Sequence, residues 1–477
     1  MQMSSSNQHT SSGLMSRGWV KLKAMPKGLK EKVFHFYGTA KEIQQDDPRR
    51  VIHAFKVGLT LTLVSLFYYY QPLYDSFGLS AMWAVMIVVV VFEYYVGATL
   101  GKGLNRGLAT LLAGALGVGA HYLTDLSGQT IEPILISFFV FLLATIATFI
   151  RFFPKIKARY DYGLLIFILT FSLISVSGFR EDEIIEMAHK RFTTILIGGS
   201  ACVMMSIFVC PVWAGEELHS LISLNLESLA NFLQAFEDEY FKISKEGESK
   251  DDKTSLLEGY KIVLNSESSE ESLANFARWE PGHGRFQFRH PWDKYLKIGT
   301  LTRQCAYRME ALNSQLSSNL QASAEIKSII QEACSEMCLE SRKALKELGM
   351  AMSIMRKSCL ADTHIANSKS AAKSLNSLLQ SNWWKEIDLL SILPAGIMAS
   401  LLCDIVACIE EIAAAVNELP SFTYFETAET TKSPSETSST PHSYRNSHVV
   451  IPIGDSTLSD LPESKSLSDQ HNTHQAA

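Results

Sequence analysis

Hydrophobic and polar positions divide the chain into two unlike halves. Between residues 51 and 213 apolar side chains run in long blocks joined by short polar connections. From Gly215 onward apolar positions recur every three or four residues among charged ones. The first pattern predicts helices apolar all round, and the second predicts helices that bury one face. A hydrocarbon core about 30 Å thick takes about 20 residues of helix. Six blocks meet or approach that length: 51–70, 81–100, 104–123, 133–150, 162–177 and 192–213. The third carries Gly107, Gly114, Gly117 and Gly119, small residues that let membrane helices approach closely. After Trp213 a helix is predicted to Phe241, with Leu218, Ile222, Leu226, Leu229, Leu233 and Phe236 along one face. Further helical patterns cover 256–264, 295–322, 324–355, 371–384 and 389–416, with Pro394 placed to start or kink the last. No alternating strand pattern stands out.

The predicted fold class is therefore an all-α membrane protein: six transmembrane helices followed by a cytosolic helical bundle. Residues 1–48 form a basic N-terminal segment, 49–213 the membrane domain and 214–424 the bundle. Residues 425–477 are rich in Ser, Thr, Pro and acid, a composition too poor in core formers to fold. That tail offers many hydroxyls to kinases.

Charge fixes an orientation. Lys and Arg crowd the segment before block one, from Arg17 to Arg50, and return at Lys102 and Arg106 and again at Arg151, Lys155, Lys157 and Arg159. The connections 71–80 and 122–132 have none. By the positive-inside rule both termini face the cytosol. The 8 cysteines form no CxxC pair and no dense framework, which predicts reduced thiols. Cys334 and Cys338 lie one turn apart on a predicted helix but lack two further zinc ligands, so no metal site is expected. The polar, basic N-terminus predicts no cleaved signal peptide. The string Gly97-Ala98-Thr99-Leu100-Gly101-Lys102-Gly103 is one residue short of a P-loop and ends on Gly where Ser or Thr is required. With no hydrolase or dinucleotide motif, neither an enzyme nor a cofactor is expected, and nucleic acid is not an expected partner. Transport by such a chain would be passive or driven by an ion gradient.

Ionisable groups inside a bilayer are costly and point to function. Lys56 and Glu93 lie at matched depths in blocks one and two, where antiparallel neighbours would let them pair. Arg49, Lys157 and Arg159 flank the inner ends of the blocks, as the positive-inside bias alone requires. Arg180, Lys190 and Arg191 flank the outer ends against that bias and are the sharper candidates for an anion pathway. One stretch interrupts the bundle pattern: Trp279-Glu280-Pro281-Gly282-His283-Gly284-Arg285-Phe286, continuing to Trp292. It reads either as a docking or ligand-sensing loop or as a loop pinned by buried Trp rings.

Several strings resemble one family. They are Asp47-Pro48-Arg49-Arg50, His53-Ala54-Phe55-Lys56-Val57-Gly58, Ser80-Ala81-Met82-Trp83-Ala84-Val85, Val91-Phe92-Glu93, the run from Gly97 to Arg106, Lys157-Ala158-Arg159-Tyr160-Asp161-Tyr162-Gly163, and Trp279-Glu280-Pro281. Together they are similar to the plant aluminium-activated malate transporters over roughly residues 19–425. The resemblance implies a homodimeric anion channel with six spans per subunit. Basic residues of both subunits would line its pore for malate and other small anions, with membrane lipid around it. It also makes Phe208, at the end of the sixth block, a candidate regulatory position beside Trp279, Glu280 and Pro281. Gating by external aluminium, cytosolic malate or γ-aminobutyrate stays open. The short N-terminal extension and tail lead to the expectation of a plasma-membrane rather than vacuolar location. Two other readings are a secondary exporter of organic or aromatic acids and a membrane-anchored scaffold. The orientation is testable by glycosylation acceptors inserted after Gly128 and after Lys155. The first should be modified and the second should not, and the opposite result reverses the topology.

Overall fold

The computed structural model describes residues 27–70, 81–127, 131–178, 184–241, 256–288, 290–317, 323–381 and 389–419. Among them the regular elements are helices, with one isolated bridge between His283 and Phe286. Arg180 and the tail 425–477 lie outside the described residues.

The chain begins with α1 (Lys27–Asp46), which has no counterpart among the expected elements, and α2 (Pro48–Tyr69). Asp47 caps α2: its carboxylate accepts the Arg49 N–H at 3.0 Å, and Pro48 takes the first helical position, where its missing N–H costs nothing. The same carboxylate accepts the Tyr94 hydroxyl at 2.9 Å.

That tyrosine marks a break in the expected second block. The helix α3 (Ala81–Val91) ends early, and α4 (Val96–Asp125) starts after four non-helical residues. The backbone groups freed there are taken up locally. Glu93 N–H donates to the Thr99 hydroxyl at 3.0 Å, and Val96 N–H donates to Val212 O at 3.0 Å. Residues 96–100 therefore belong to α4, and the connection expected around Lys102 and Arg106 is helix. Next come α5 (Glu132–Ile150), α6 (Pro154–Gly178) and α7 (Ile184–Phe208). A second break follows α7, where Cys210 takes a left-handed φ of 44° before Pro211. The proline ring bars its predecessor from the right-handed helical region.

These helices pack as two small cores. Val64 of α2, Ile87, Val88 and Val91 of α3 and Cys202 of α7 form one. Ala113 of α4, Ala147 of α5 and Phe167 and Phe171 of α6 form the other. Elsewhere the apolar side chains face outward, among them Val89, Leu108 and Phe141. A soluble domain does not expose such a continuous apolar surface. Among the described residues five helices are long and apolar enough to cross a membrane: Val96–Asp125, Glu132–Ile150, Pro154–Ser177, Ala188–Phe208 and Ile392–Glu418. Of the expected spans, α2 is not in this set, and α3, at about 16 Å, is short of a full crossing.

The last of the five is different in kind. It belongs to α14 (Leu389–Glu418), and half of its apolar window is buried by protein, against 11% for α5. Its Met398, Leu402, Ile405 and Ile412 enter the large C-terminal core. The other members of that bundle are α8 (Ala214–Tyr240), α9 (Gly259–Leu264), α10 (Glu267–Ala277), α11 (Trp292–Ser317), α12 (Ala324–Ile354) and α13 (Cys359–Gln380). The short α10, unexpected from its Ser- and Glu-rich sequence, presents buried Glu270 to Arg303 of α11 as an ion pair. Glu270 also accepts the Ser266 hydroxyl at 2.7 Å and the Asn225 amide at 3.2 Å, so its lone pairs are well used. Helix α13 starts well before the expected residue 371 because Ser358 caps it, accepting Ala361 N–H at 3.3 Å.

Close approach of α3 and α7 depends on Gly198. A Cβ there would lie 2.6 Å from Ala84 O and 3.0 Å from Ile87 Cβ, whereas one at Gly199 would meet open space. Helix propensity alone favours Ala over Gly by about 1 kcal/mol. Gly199→Ala should therefore leave or raise the thermal unfolding midpoint in detergent, and Gly198→Ala should lower it. Equal behaviour of the two variants would mean that α3 and α7 are not so tightly packed.

Candidate functional site

Cations among α2–α7 fall into two groups, according to whether their charge is already compensated. Lys56 is fully buried, and its ammonium donates to Cys210 O at 3.1 Å. It holds a carbonyl freed at the C-terminal end of α7, where a cation is favourable. Glu93 pairs instead with Lys102. The pairing expected between Lys56 and Glu93 is thus replaced by two separate contacts, because the break at 92–95 turns Glu93 toward the first turns of α4. Arg49 faces Glu217 at 3.4 Å and Asp47 at 3.7 Å. Lys190 pairs with Glu186 one turn away at 2.6 Å.

The second group lies deeper in the helices. Arg106 follows Lys102 by one turn on α4 and donates to the Tyr162 hydroxyl of α6 at 2.8 Å. Its Nε is buried and has no hydrogen-bond partner. Lys102 sits 5.7 Å from the centre of the same Tyr162 ring. On α7, the Arg191 guanidinium lies 4.2 Å over the Trp83 ring of α3. No carboxylate pairs with Arg106 or Arg191 among the described residues. Each guanidinium thus has a neutral aromatic neighbour, and Arg106 Nε is an unspent donor of the kind an anion can take up.

Arg106 was not singled out as a site residue in the sequence because it counted, with Lys102, only toward the positive charge at the inner end of the third block. The signal was its spacing from Lys102: four residues put both on one helix face once α4 begins at Val96.

The remaining candidates lie where the bundle meets the helices 48–208. Lys157 is exposed, and Phe208 at the end of α7 is 71% exposed. Arg159 lies 4.9 Å over the Trp279 ring, and its carbonyl accepts the Asn105 amide at 3.0 Å. Trp279 packs against Gly101 of α4, where a Cβ would come within 2.9 Å of the indole. Glu280 is almost fully buried, and its two oxygens accept the Ala214 and Gly215 N–H groups at 2.6 and 3.1 Å. It thus supplies from a distant loop the cap that Trp213 does not give α8. Burial pushes the Glu280 carboxyl above its ordinary value, while the backbone donors of Ala214, Gly215 and Gly97 and nearby His283 pull it back. Pro281 O lies 2.9 Å from His283 Nδ1, and the His283 ring stacks on Trp213 with centroids 3.8 Å apart. Trp292 presses on Gly215, leaving no room for a Cβ. The loop from Trp279 to Trp292 is therefore pinned by buried rings. No cluster of metal-ligating side chains occurs among the described residues.

Residues 41–384 match the family described as aluminium activated malate transporter. Among similar proteins, aluminum-activated malate transporter 2 of Arabidopsis thaliana is 53% identical over 447 residues, covering 91% of this chain and 89% of its own. Aluminum-activated malate transporter 1 of the same plant is 52% identical, with 83% of this chain and 81% of its own covered. Aluminum-activated malate transporter 1 of Triticum aestivum is 46% identical, with 81% and 85% covered.

Loss of the Glu280 oxygens would leave two buried N–H groups unsatisfied, at about 1–3 kcal/mol each. Glu280→Ala should therefore lower the unfolding midpoint of the detergent-solubilised protein sharply, and Glu280→Gln, which keeps one acceptor oxygen, by less. An unchanged midpoint in Glu280→Ala would show that the cap contributes nothing.

Proposed function

The chain belongs to the aluminium-activated malate transporter family, and we propose that it is a passive anion channel in which Arg106 and Arg191 form the central malate-binding step. It is a multi-pass membrane protein of a malate-transporting family and not an enzyme. The observation that carries the channel reading is the unspent Arg106 Nε, with Arg191 likewise lacking a carboxylate partner among the described residues, set among helices whose apolar faces point outward.

In this reading α2 to α7 are the six crossings, both termini are cytosolic, and the bundle from α8 to α14 stands in the cytosol. The apolar α14 stays in the bundle core, because its buried side chains already have protein partners. A second copy related by a two-fold axis doubles the basic set. Malate carries two negative charges at neutral pH. Moving both through 100 mV is worth roughly 4.6 kcal/mol, so a negative cell interior drives efflux without a fuel site. Of the sequence candidates, Arg191 touches the ion. Arg159, Lys157 and Arg49 contribute to the field at the inner mouth. Lys56 and Glu93 act on the pathway only through the helix ends and the cation they hold. Lys190, already paired, adds little.

Patch-clamp recording with malate as the only permeant anion tests this. Arg106→Gln and Arg191→Ala should each lower malate conductance by about tenfold, roughly 1.4 kcal/mol of lost stabilisation, with near-normal surface expression. Arg191→Lys should keep part of it, since charge survives while the planar fork is lost. Unchanged conductance and malate-to-chloride permeability in Arg106→Gln and Arg191→Ala would remove both residues from the pathway. Transport that requires a proton gradient would make the protein a coupled exporter.

A further inference from the structure

A crevice of about 550 Å³ opens between α4, α5 and α6, next to the turn that joins α5 to α6. Its volume is within the range of ligand sites. It exists because small residues meet there: Ala109 of α4, Ala147 of α5 and Gly163 of α6 leave space that larger side chains would fill. Leu112, Leu143 and Phe167 wall it farther from the turn. The stretch of α4 from Asn105 to Leu112 gives it a length of about 10 Å along the helices. The one amide among its lining side chains, Asn105, is spent, donating to Arg159 O at 3.0 Å. Leu108 and Ile146 line the crevice and are also exposed, so it opens onto the outward apolar surface.

The end nearest the turn carries charge. Ile150 and Ile156 line the crevice there. Lys155 and Lys157 stand on either side of Ile156 in the first turn of α6, both exposed. Neither has an ion-pair partner among the described residues. Arg151 in the same turn is already spent, donating to both Asp161 oxygens at 2.7 and 3.1 Å. Tyr160 also lines the crevice, and its hydroxyl makes no hydrogen bond among the described residues. The edge of its ring meets Trp279, with centroids 6.3 Å apart.

The positive-inside bias accounts for lysines near a turn, and outward apolar faces account for loose lipid contact. Neither accounts for a recess that ends beside two unpaired lysines. Its occupant must be apolar along the helices and negative at the end near the turn. A dicarboxylate has no apolar body, and a sterol has no charge. We propose that the crevice is a specific site for one anionic glycerophospholipid. One acyl chain lies in the crevice between α4, α5 and α6. The phosphate sits at Lys155 and Lys157, and the Tyr160 hydroxyl donates to a phosphate or ester oxygen. In the orientation proposed above this is the cytosolic leaflet, where anionic lipids attract basic segments beside the membrane. Binding itself depends on neither that orientation nor the channel reading. Through Tyr160 against Trp279, and Asn105 on Arg159 O, the lipid would stand beside the joint between α4 and the bundle.

The probes are dioleoyl phosphatidylglycerol and dioleoyl phosphatidylcholine, which share acyl chains and differ in net charge. Each is added to the full chain in detergent and followed by native mass spectrometry and thermal unfolding. One phosphatidylglycerol per chain should be retained, several-fold more tightly than phosphatidylcholine, and should raise the midpoint. Lys155→Gln combined with Lys157→Gln should abolish that preference and leave the lipid-free midpoint unchanged, since both side chains are exposed and unpaired. Ala109→Phe, which fills the crevice, should weaken retention of both lipids. Leu108→Trp, at a more exposed position on the same wall, serves if Ala109→Phe lowers the lipid-free midpoint. Equal retention of the two lipids by the parent, or a preference that survives the double lysine change, overturns the proposal in favour of non-selective lipid contact. Undiminished retention in both filling variants removes the acyl chain from the crevice. Displacement of phosphatidylglycerol by a sterol would overturn it in favour of a sterol site. Cross-linking of two chains through Leu108→Cys would overturn it in favour of a second copy covering the crevice.

Discussion

The structure turns on a carboxylate that caps a helix from outside. Helix α8 starts immediately after the Cys210–Trp213 break, and its first N–H groups have no partner of their own. Glu280, 65 residues or more along the chain, fills that position with both oxygens. A buried carboxylate without donors would be costly; here the amides and the positive end of α8 offset the cost. The geometry is unforgiving, because the loop must come within contact of two helices at once. Gly97 and Gly101 of α4 and Gly215 of α8 lack side chains where Phe276 O, Trp279 and Trp292 come closest. A methyl group at Gly97 would overlap the Phe276 carbonyl outright.

That joint also connects the two halves mechanically. The turn of α4 that meets Trp279 at Gly101 is followed directly by Lys102 and, one turn on, by Arg106. The Arg159 guanidinium of α6 lies 4.9 Å over the same indole. A shift of the bundle that moves this loop must move the start of α4, and with it the cations that follow. The coupling is contact of packed groups, without any long-range mechanism. It also explains why the loop is rich in rings: stacked Trp213 and His283, and Phe286 against Trp292, transmit displacement better than flexible chains.

Sequence legibility followed the kind of force involved. Hydrophobic burial is periodic, so α4 to α8, α11, α12 and α14 could be read from spacing. Backbone breaks are not periodic. The end of α3 at Val91 depends on Thr99 and Val212 accepting N–H groups, and neither contact leaves a local mark in the sequence. Once that break was missed, Glu93 was set opposite Lys56 and Arg106 counted only as charge at the inner end of the third block. The short α10 was hidden for a related reason. It is held by Glu270 and Arg303, an ion pair between elements, and its own sequence is mostly Ser and Glu. In α14 an apolar run long enough for a membrane has side chains buried in the C-terminal core.

On the proposed pathway a dianion must be attracted without being trapped, and the arrangement of spent and unspent cations fits that need. Arg106 and Arg191 each have a neutral aromatic neighbour, a phenol in one case and an indole face in the other. Neutral partners hold the guanidinium groups in position and leave their charge intact. One helical turn away, about 6 Å along α4, Lys102 is matched by Glu93. An anion that leaves the arginines in that direction meets a pair whose net charge is zero, so attraction falls within one turn. Arg159, exposed beside the Trp279 ring, offers a weaker field on the proposed pathway. A column of equally unpaired cations would bind malate tightly at every step and release it slowly. Alternation of compensated and uncompensated charge keeps each step shallow. On the proposed pathway the Lys102–Glu93 pair is the low-attraction interval that would let an ion move on.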